Sequence, residues 1–310
     1  MIKITTNLFV LLLVVLLICV GCNKDAVDGI YKPDKQIAKV HTKTTFAGFE
    51  NPFGDDPFWD DPFGNLMSET QTWIWSDNRL EKITYQNTWG SSSMEFYYDG
   101  DKLSKIIEGN TVLSIGYKGN KFDKINVSYD DYLIGTFTFK HSNGKITEVT
   151  YIEPGSAKAG KASNNSMNRM LEFLLPARTS KILSKEIEYL AQNTLPKAGK
   201  YEFKVVLKFN WNGDNVRKVT ITEREDGEKD REVQTYKYDK NKNPFINFFG
   251  GEFSAESASV NNIVSITTRY YGGTDTETYT YEYDSDGYPI KRSYTSFMFG
   301  MTETTHIEYK

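Results

Sequence analysis

One pattern governs what this chain can fold into. From about residue 70 onward, two aromatic residues at i and i+2 precede a turn rich in Asp, Asn and Gly, and an aliphatic residue follows beside a charged one. The first copies are Trp73-Ile-Trp75-Ser-Asp77-Asn-Arg79-Leu80, Phe96-Tyr-Tyr98-Asp99-Gly-Asp-Lys102-Leu103 and Ile115-Gly-Tyr117-Lys-Gly119-Asn-Lys121-Phe122. Phe137-Thr-Phe139 leading to Asn143-Gly144-Lys145-Ile146, Phe209-Asn-Trp211 leading to Gly213 and Val216, Tyr236-Lys-Tyr238-Asp239 and Tyr281-Glu-Tyr283-Asp284 to Gly287 continue the series. The turn centres near 77, 100, 119 and 143 lie 19 to 24 residues apart, which is room for two short strands and two turns. Aromatics two apart share one face of a strand, and Asp-Gly, Asn-Gly and Gly-Asn supply the positive φ of tight hairpins. The expected fold is therefore all-β: a large antiparallel up-and-down meander of about seven hairpin repeats, fourteen to sixteen strands, either open or curled into a barrel-like sheet.

In the run Thr278 to Tyr283, Tyr279, Tyr281 and Tyr283 fall on one face and Thr278, Thr280 and Glu282 on the other. Such alternation describes a sheet packed on one side and wet on the other. The aromatic stripe, drawn from 20 Tyr, 19 Phe and 5 Trp, reads as core. Two stretches break the repeat. Met167, Met170, Leu171, Leu174 and Leu175 follow helical spacing, and Leu183, Ile187 and Leu190 continue it before Pro196. Residues 161–196 are thus expected as a helical pair that covers the apolar face or plugs the sheet's open end. Pro244 to Asn262, with Phe245, Phe248, Phe249, Phe253 and Gly250-Gly251, reads as a long loop or irregular hairpin.

The N-terminus gives an address. Lys3 precedes Leu8 to Val20, a run of 13 residues with no charge, which is short of the roughly 20 that span a bilayer. This is the layout of a signal peptide. Its end, Ile18-Cys19-Val20-Gly21-Cys22, resembles a bacterial lipoprotein cleavage box, with Cys19 where Leu is usual. The resemblance implies removal of residues 1–21, lipidation of Cys22 and a linker over 22–36, followed by one β domain over 37–310. Asn23-Lys24-Asp25-Ala26-Val27-Asp28 is similar to the charged signals that send Bacteroidetes lipoproteins to the cell surface.

The repeats themselves resemble the tyrosine-aspartate (YD) repeats of RHS-type proteins, most fully at Tyr281 to Gly287 and partially at Tyr98-Asp99 and Tyr238-Asp239. Lipoprotein box, repeats and helical insert together resemble the uncharacterised Bacteroidetes lipoproteins whose domain of unknown function is porin-like in fold. That resemblance implies a sheet architecture over about residues 70–310 and transfers no functional residue. It does not imply a pore. A membrane barrel needs an apolar outward band about 25 Å tall, and Lys204, Lys237 and Glu282 occupy wet-face positions.

Chemistry is sparse. The formal charge of −4, spread along the chain, lacks the basic footprint of a nucleic-acid binder. Three histidines and two cysteines, none at ligand spacing, give no metal site and no expected cofactor. Asp284-Ser-Asp286-Gly287 opens like a calcium loop, but Thr295 stands where a bidentate Glu is needed. Glu223 to Glu232, around Asp226-Gly227, reads as a solvated hairpin tip. No nucleophile elbow, zincin, Walker or dinucleotide motif is present, so the chain is read as non-catalytic. The binding candidate is the low-complexity loop at 50–65, where Phe53, Phe58, Trp59 and Phe63 alternate with Asp55, Asp56, Asp60 and Asp61. Ring faces can stack on sugars while carboxylates accept their hydroxyls. The expectation is a lipid-anchored outer-membrane or cell-surface protein that holds the membrane through its N-terminal lipid and binds a glycan or an envelope protein. The alternatives are an assembly lipoprotein docking an outer-membrane partner and a carrier of hydrophobic cargo.

Overall fold

The computed structural model describes residues 31–46, 66–87, 90–152, 204–225, 228–248, 254–270, 272–296 and 301–310. The expected helical pair, the 50–65 loop and Cys22 lie outside them. Among the described residues sixteen strands run in chain order. They are β1 (Ile37–Phe46), β2 (Leu66–Ser76), β3 (Arg79–Asn87), β4 (Gly90–Asp99), β5 (Lys102–Glu108), β6 (Thr111–Lys118), β7 (Lys121–Tyr129) and β8 (Tyr132–Ser142), then β9 (Lys145–Ile152), β10 (Lys204–Asn212), β11 (Asn215–Glu225), β12 (Glu228–Lys242), β13 (Asn261–Tyr270), β14 (Gly273–Tyr283), β15 (Pro289–Ser296) and β16 (Met301–Tyr309). Each pairs antiparallel with its neighbour in sequence, and β16 pairs with β1 from Ile37↔Tyr309 to Phe46↔Met301. The meander therefore closes into a barrel, which leaves no strand edge unpaired.

Each repeat builds one hairpin, and its closing detail is a bulge. Tyr97 pairs with Lys105 while Tyr98 pairs with Leu103, so Ser104 is extra. The same shift recurs at Trp75↔Leu80, Tyr117↔Phe122, His141↔Ile146 and Trp211↔Val216. A bulge turns two residues three apart onto one face. Leu80 and Ile83, Leu103 and Ile106, Phe122 and Ile125, Ile146 and Val149, and Val216 and Val219 are accordingly all buried. Bulges recur mostly at the rim of these turns, with one at Val127/Ser128 beside the 130–131 turn at the other, and they supply the curvature that lets a long meander close.

The stripe's second aromatic stitches one repeat to the one before. The Tyr98 hydroxyl donates to the Leu80 carbonyl at 2.9 Å, Tyr117 to Leu103 at 2.8 Å and Tyr238 to Val216 at 2.7 Å. Trp75 Nε1 donates to the Ile37 carbonyl and Trp211 Nε1 to Ile146, both at 2.7 Å. Tyr281 to Ile263 and Tyr309 to Pro289 complete the series at 2.8 and 2.9 Å. After three of the turns the basic residue lies over the next stitch: Arg79 over Tyr98 at 5.7 Å, Lys102 over Tyr117 at 5.2 Å and Lys145 over Trp211 at 5.1 Å. The repeat thus specifies hairpin, bulge and inter-repeat bond in one unit.

Topology sorts the connections between two rims. Residues 77–78, 100–101, 119–120, 143–144, 213–214, 243–260 and 284–288 turn at one rim, where the chain also arrives through 31–36. Asp77 and Asn78 both take positive φ there, 48° and 61°, the pair of values a type I′ turn requires. The connections 47–65 and 153–203 join strands at the opposite rim, together with 88–89, 109–110, 130–131, 226–227, 271–272 and 297–300.

Pro244 to Asn262, read from sequence as a loop or irregular hairpin, is the β12–β13 connection, and its described part folds inward. Ile246 and Phe248 close turns onto the Asn243 and Phe245 carbonyls, Asn247 N–H donates to the Ser257 carbonyl at 2.8 Å, and a single helical turn, α1 (Ala255–Ala258), stands behind a Ser254 cap. Phe248 packs 5.1 Å from the rings of both Tyr31 and Trp73. Tyr31 donates to the Pro244 carbonyl at 2.7 Å, and Asn243 Nδ2 donates to the carbonyls of Glu256 and Ser259 at 2.6 and 2.8 Å. The barrel is plugged at the rim where the N-terminal chain arrives.

Candidate functional site

Outward positions on the described strands are mostly polar, as with Lys82, Thr84 and Gln86 on β3, Thr278, Thr280 and Glu282 on β14, and Thr302, Thr304, His306 and Glu308 on β16, while Ile74 on β2 and Tyr97 on β4 are exposed exceptions. Lys204, Lys237 and Glu282 point outward as the alternation required. Inward positions from β3 to β11 are mostly apolar and dry: Ile83, Met94, Ile106, Phe137, Val149, Val205, Leu207 and Val216 have no exposed surface, and the polar Glu108 and Thr111 are buried as well. Water-filled membrane barrels of this strand number present the opposite arrangement, apolar outside and polar within.

The rest of the lumen differs. On β12 to β16 and on β1 and β2 buried inward residues, among them Val40, Trp73, Gln234, Tyr236, Thr305 and Ile307, mix with half-buried polar ones, and register lays them out in rows. One row runs Tyr281, Arg292, Thr305, Thr42 and Glu69 across five strands. The next row runs Tyr279, Tyr294, Glu303 and Thr44. Neighbouring strands lie about 4.8 Å apart, so the first row is about 19 Å wide.

Arg292 is the centre of this wall. Its Nη1 reaches Glu256 Oε1 at 3.4 Å and its Nη2 reaches Glu303 Oε1 at 3.3 Å, so it ties α1 to β16. Its guanidinium lies 5.8 Å from the Tyr279 ring centre. Although the side chain projects into the barrel, 26% of it meets solvent, with 28% of Glu303 and 42% of Glu256. Burial opposes its charge, but Glu256, Tyr281, Glu303 and Tyr279 more than offset that and hold its pKa above the ordinary value.

Hydrogen bonds two residues apart aim the carboxylates. Tyr279 donates to Glu277 Oε2 at 2.8 Å. On β2, Trp73 Nε1 donates to Gln71 at 3.4 Å and Gln71 Nε2 to Glu69 Oε1 at 3.2 Å. On β12, Tyr236 donates to Gln234, whose Nε2 donates to Glu232 at 2.8 Å. Tyr279 stacks on Tyr294 at 5.2 Å, and Tyr281 on Tyr283 at 5.8 Å. Burial raises the phenol pKa of Tyr279, with Glu277 adding to the shift, and burial likewise raises Tyr281. Both are neutral hydroxyls at pH 7.

Of the binding residues expected from sequence, Phe53, Asp55, Asp56, Phe58, Trp59, Asp60, Asp61 and Phe63 all lie outside the described residues. The strands they join end at the rim opposite the plug. Asp284 and Asp286 form no metal centre: Asp284 Oδ1 accepts from the backbone of Asp286 and Tyr288, and Lys35 bonds both carboxylates at 2.6 and 2.7 Å. Among the described residues no group of three or more His, Cys, Asp and Glu side chains could hold a metal ion. Sequence reading missed Arg292, Glu277 and Glu303. The signal was present for two of them: Glu277 shares the parity of Tyr279 on β14, and Glu303 precedes the inward Thr305 and Ile307 by two and four.

No family model matches the chain, and no curated protein matches it. The repeat's likeness to RHS-type proteins accordingly rests on the sequence pattern alone. Among solved structures, a porin-like protein from Bacteroides uniformis superposes with a TM-score of 0.50 at 12% identity, over 91% of this chain and 100% of that one. A porin-like protein from Bacteroides vulgatus gives a TM-score of 0.48 at 12% identity, over 89% and 99%. The first likeness is one of fold. It agrees with the closed all-β meander, and at this identity it carries no activity, ligand or location with it.

Proposed function

We propose that this chain is a non-catalytic, lipid-anchored protein of the outer membrane, facing the cell exterior, that binds a glycan or a protein at the rim away from its anchor. The polarity of the barrel carries this reading. With polar side chains outside and a dry wall inside, the described strands lack the surface that would seat them in a bilayer, so attachment falls to an anchor. Cys22 lies nine residues before Tyr31, and Tyr31 sits at the plugged rim. An acylated N-terminus holds a soluble domain at a membrane, since each buried methylene contributes about 0.8 kcal/mol. The opposite rim, where 47–65 joins β1 to β2, then faces away from the lipid. Phe53, Phe58, Trp59 and Phe63, with Asp55, Asp56, Asp60 and Asp61, are the proposed contacts.

A protein ligand draws support from the same rim, where Tyr132 is 56% exposed and Leu133 42% beside Asp130 and Asp131. The dry wall speaks against hydrophobic cargo, because its residues are already covered. Metabolic labelling with a radiolabelled fatty acid should tag the wild type and not Cys22→Ala, and protease added to intact cells should cut within 47–65. Labelling that survives Cys22→Ala overturns the anchor. Protection until lysis overturns the outward face. A glycan panel that binds wild type and Trp59→Ala equally removes the 50–65 contacts.

A further inference from the structure

We infer that His41 and His306 form a two-histidine site for a divalent transition-metal ion on the outer face of the barrel, where the ion clips the first strand to the last. The site is independent of the anchor and of the rim loop. Three histidines are scattered along the sequence, and closure of the barrel brings two of them together: His41 on β1 and His306 on β16 are direct partners across the seam. Their neighbours Val40 and Ile307 are buried, so strand alternation turns both imidazoles outward. His41 is half-buried there and His306 is exposed. Cβ atoms directly opposite each other on antiparallel strands lie about 4.5–5.5 Å apart. Zinc holds imidazole nitrogens at about 2.0–2.1 Å, so two rings at that spacing can meet one ion with the backbone in place.

One of the two rings is already held from behind. His41 Nδ1 lies 2.9 Å from Thr70 Oγ1 on β2. When Nδ1 carries the proton it donates this bond, and Nε2 keeps its lone pair for a metal. Metal-bound histidines are oriented in this way, by an oxygen that accepts from the other ring nitrogen. His306 makes no hydrogen bond among the described residues, so its nitrogens compete with no protein partner there. The charges around the pair are largely matched. Lys291, the partner of His306 on β15, donates to Glu282 Oε1 at 2.7 Å. Lys39 and Lys43 flank His41 on β1, and Lys39 faces Glu308. Imidazole suits Zn²⁺, Cu²⁺ and Ni²⁺, whereas Ca²⁺ and Mg²⁺ take oxygen ligands. Two imidazoles fill two coordination positions and water fills the rest on this exposed face, so the ion exchanges freely. Because the pair is assembled only when β1 meets β16, the ion binds the closed barrel in preference to the unfolded chain and stabilises the seam.

Isothermal titration of the detergent-solubilised full-length protein, made without a histidine tag, tests this with Zn²⁺, Cu²⁺ and Ca²⁺. Zn²⁺ and Cu²⁺ should bind and Ca²⁺ should not compete with them. His41→Gln and His306→Gln should each weaken binding by at least about tenfold, and Thr70→Val, which keeps both ligands and removes the bond behind His41, by about tenfold. His141→Gln, remote from the seam, should change nothing. Both ligand positions face outward, so the metal-free melting temperatures of the variants should match that of the wild type and certify their folds. The electron paramagnetic resonance spectrum of bound Cu²⁺ should show coupling to two imidazole nitrogens in the wild type and to one in either single variant. Zn²⁺ at about a hundredfold its Kd should raise the wild-type melting temperature by about 5 °C. No binding, or binding indifferent to His41→Gln and His306→Gln, overturns the site. A melting temperature that Zn²⁺ leaves unmoved means that the unfolded chain binds the ion equally well, and overturns the clip.

Discussion

The wall from β3 to β11 and the wall from β12 round to β2 share strand geometry, outward polarity and the same stitch between repeats, yet they differ in what they turn inward. Leu207 and Val205 are wholly buried, whereas Tyr279, Arg292 and Glu303 remain partly wetted. The difference teaches that closing the barrel and furnishing its lumen are separable tasks. Bulges and stitches at the plugged rim close it, and the inward residues farther along each strand are free to be apolar or polar.

The largest effect is expected in base, and it tests whether the two walls unfold together. Burial pushes the phenol of Tyr98, on the first wall, up to about 12, with Glu81 adding to the shift, while Arg79 and the Leu80 backbone contact oppose it. Burial and the Asp239 hydrogen bond push Tyr283, on the second, up to about 12 as well. An unfolded tyrosine ionises near 10, so above that pH the unfolded chain sheds protons that the folded barrel keeps, and stability falls as pH rises. The part of the 295 nm tyrosinate absorbance that belongs to half-buried tyrosines such as Tyr98 and Tyr283 should rise in the same step as β-sheet circular dichroism is lost. Titration of the whole tyrosine complement with the sheet intact would mean that the walls are more open to water than their geometry implies.

Truncation inside the walls comes next. Leu207→Ala should cost about 2–5 kcal/mol by urea unfolding, the range for a fully buried leucine. Glu277→Gln on the wetted wall should change stability by under about 1 kcal/mol. Similar losses at the two positions would erase the distinction. Gly135→Ala probes the tightness of the dry wall, because a Cβ there would lie 2.2 Å from Cε2 of Tyr151, whose ring covers the glycine. Tyr151 is also held by its hydroxyl, which donates to the Ile134 carbonyl at 3.2 Å. Overpacking of this kind costs about 1–3 kcal/mol, and an unchanged midpoint would show that the wall can yield.

The stitches should behave alike on both sides. Tyr98→Phe and Tyr309→Phe each remove a hydroxyl bonded to a carbonyl, of Leu80 and of Pro289, and each should lose about 1 kcal/mol. A loss at one site only would mean that closure depends more on one wall than on the other.

Much of this architecture was readable from the repeat, because strand alternation and turn chemistry are local. The spacing of turns gave sixteen strands at the upper end of its range, and the parity of Tyr279, Tyr281 and Tyr283 gave their common face. Closure was not readable, since pairing of β1 with β16 joins residues such as Ile37 and Tyr309, and no local signal reports a contact so distant in sequence. The bulge left a trace that went unused: aliphatic residues three apart after each turn, as in Leu103 and Ile106, fit neither strict alternation nor a helix. The inward placement of Arg292 was hidden for another reason. Arg292 follows Lys291 in a stretch with charge on both faces, and only the register with Tyr281 assigns it to the lumen.

The smallest effect concerns how the N-terminal chain is held at the plugged rim, and there acid should do what base does to the walls, but locally. Lys35 bonds Asp284 and Asp286, and its ammonium lies 5.5 Å from the Tyr288 ring centre and 5.7 Å from that of Tyr309. The Lys35 hydrogen bond holds the Asp284 carboxyl below its ordinary pKa. Such a group contributes fully above the pKa of the unfolded state, and its contribution is lost as pH falls through the folded value. Between pH 5 and 8 the clasp is therefore at full strength, and it should open only below the usual carboxylate range. Amide hydrogen exchange over residues 31–36 should accelerate there in the wild type, while in Lys35→Gln it should already be fast at neutral pH. The melting temperature of Lys35→Gln should stay near that of the wild type, because ion pairs open to solvent contribute little to global stability. A large fall in melting temperature would mean that the clasp helps to hold β1 against β16, and closure of the barrel would then depend on the chain that leads to the anchor as well as on the bulges.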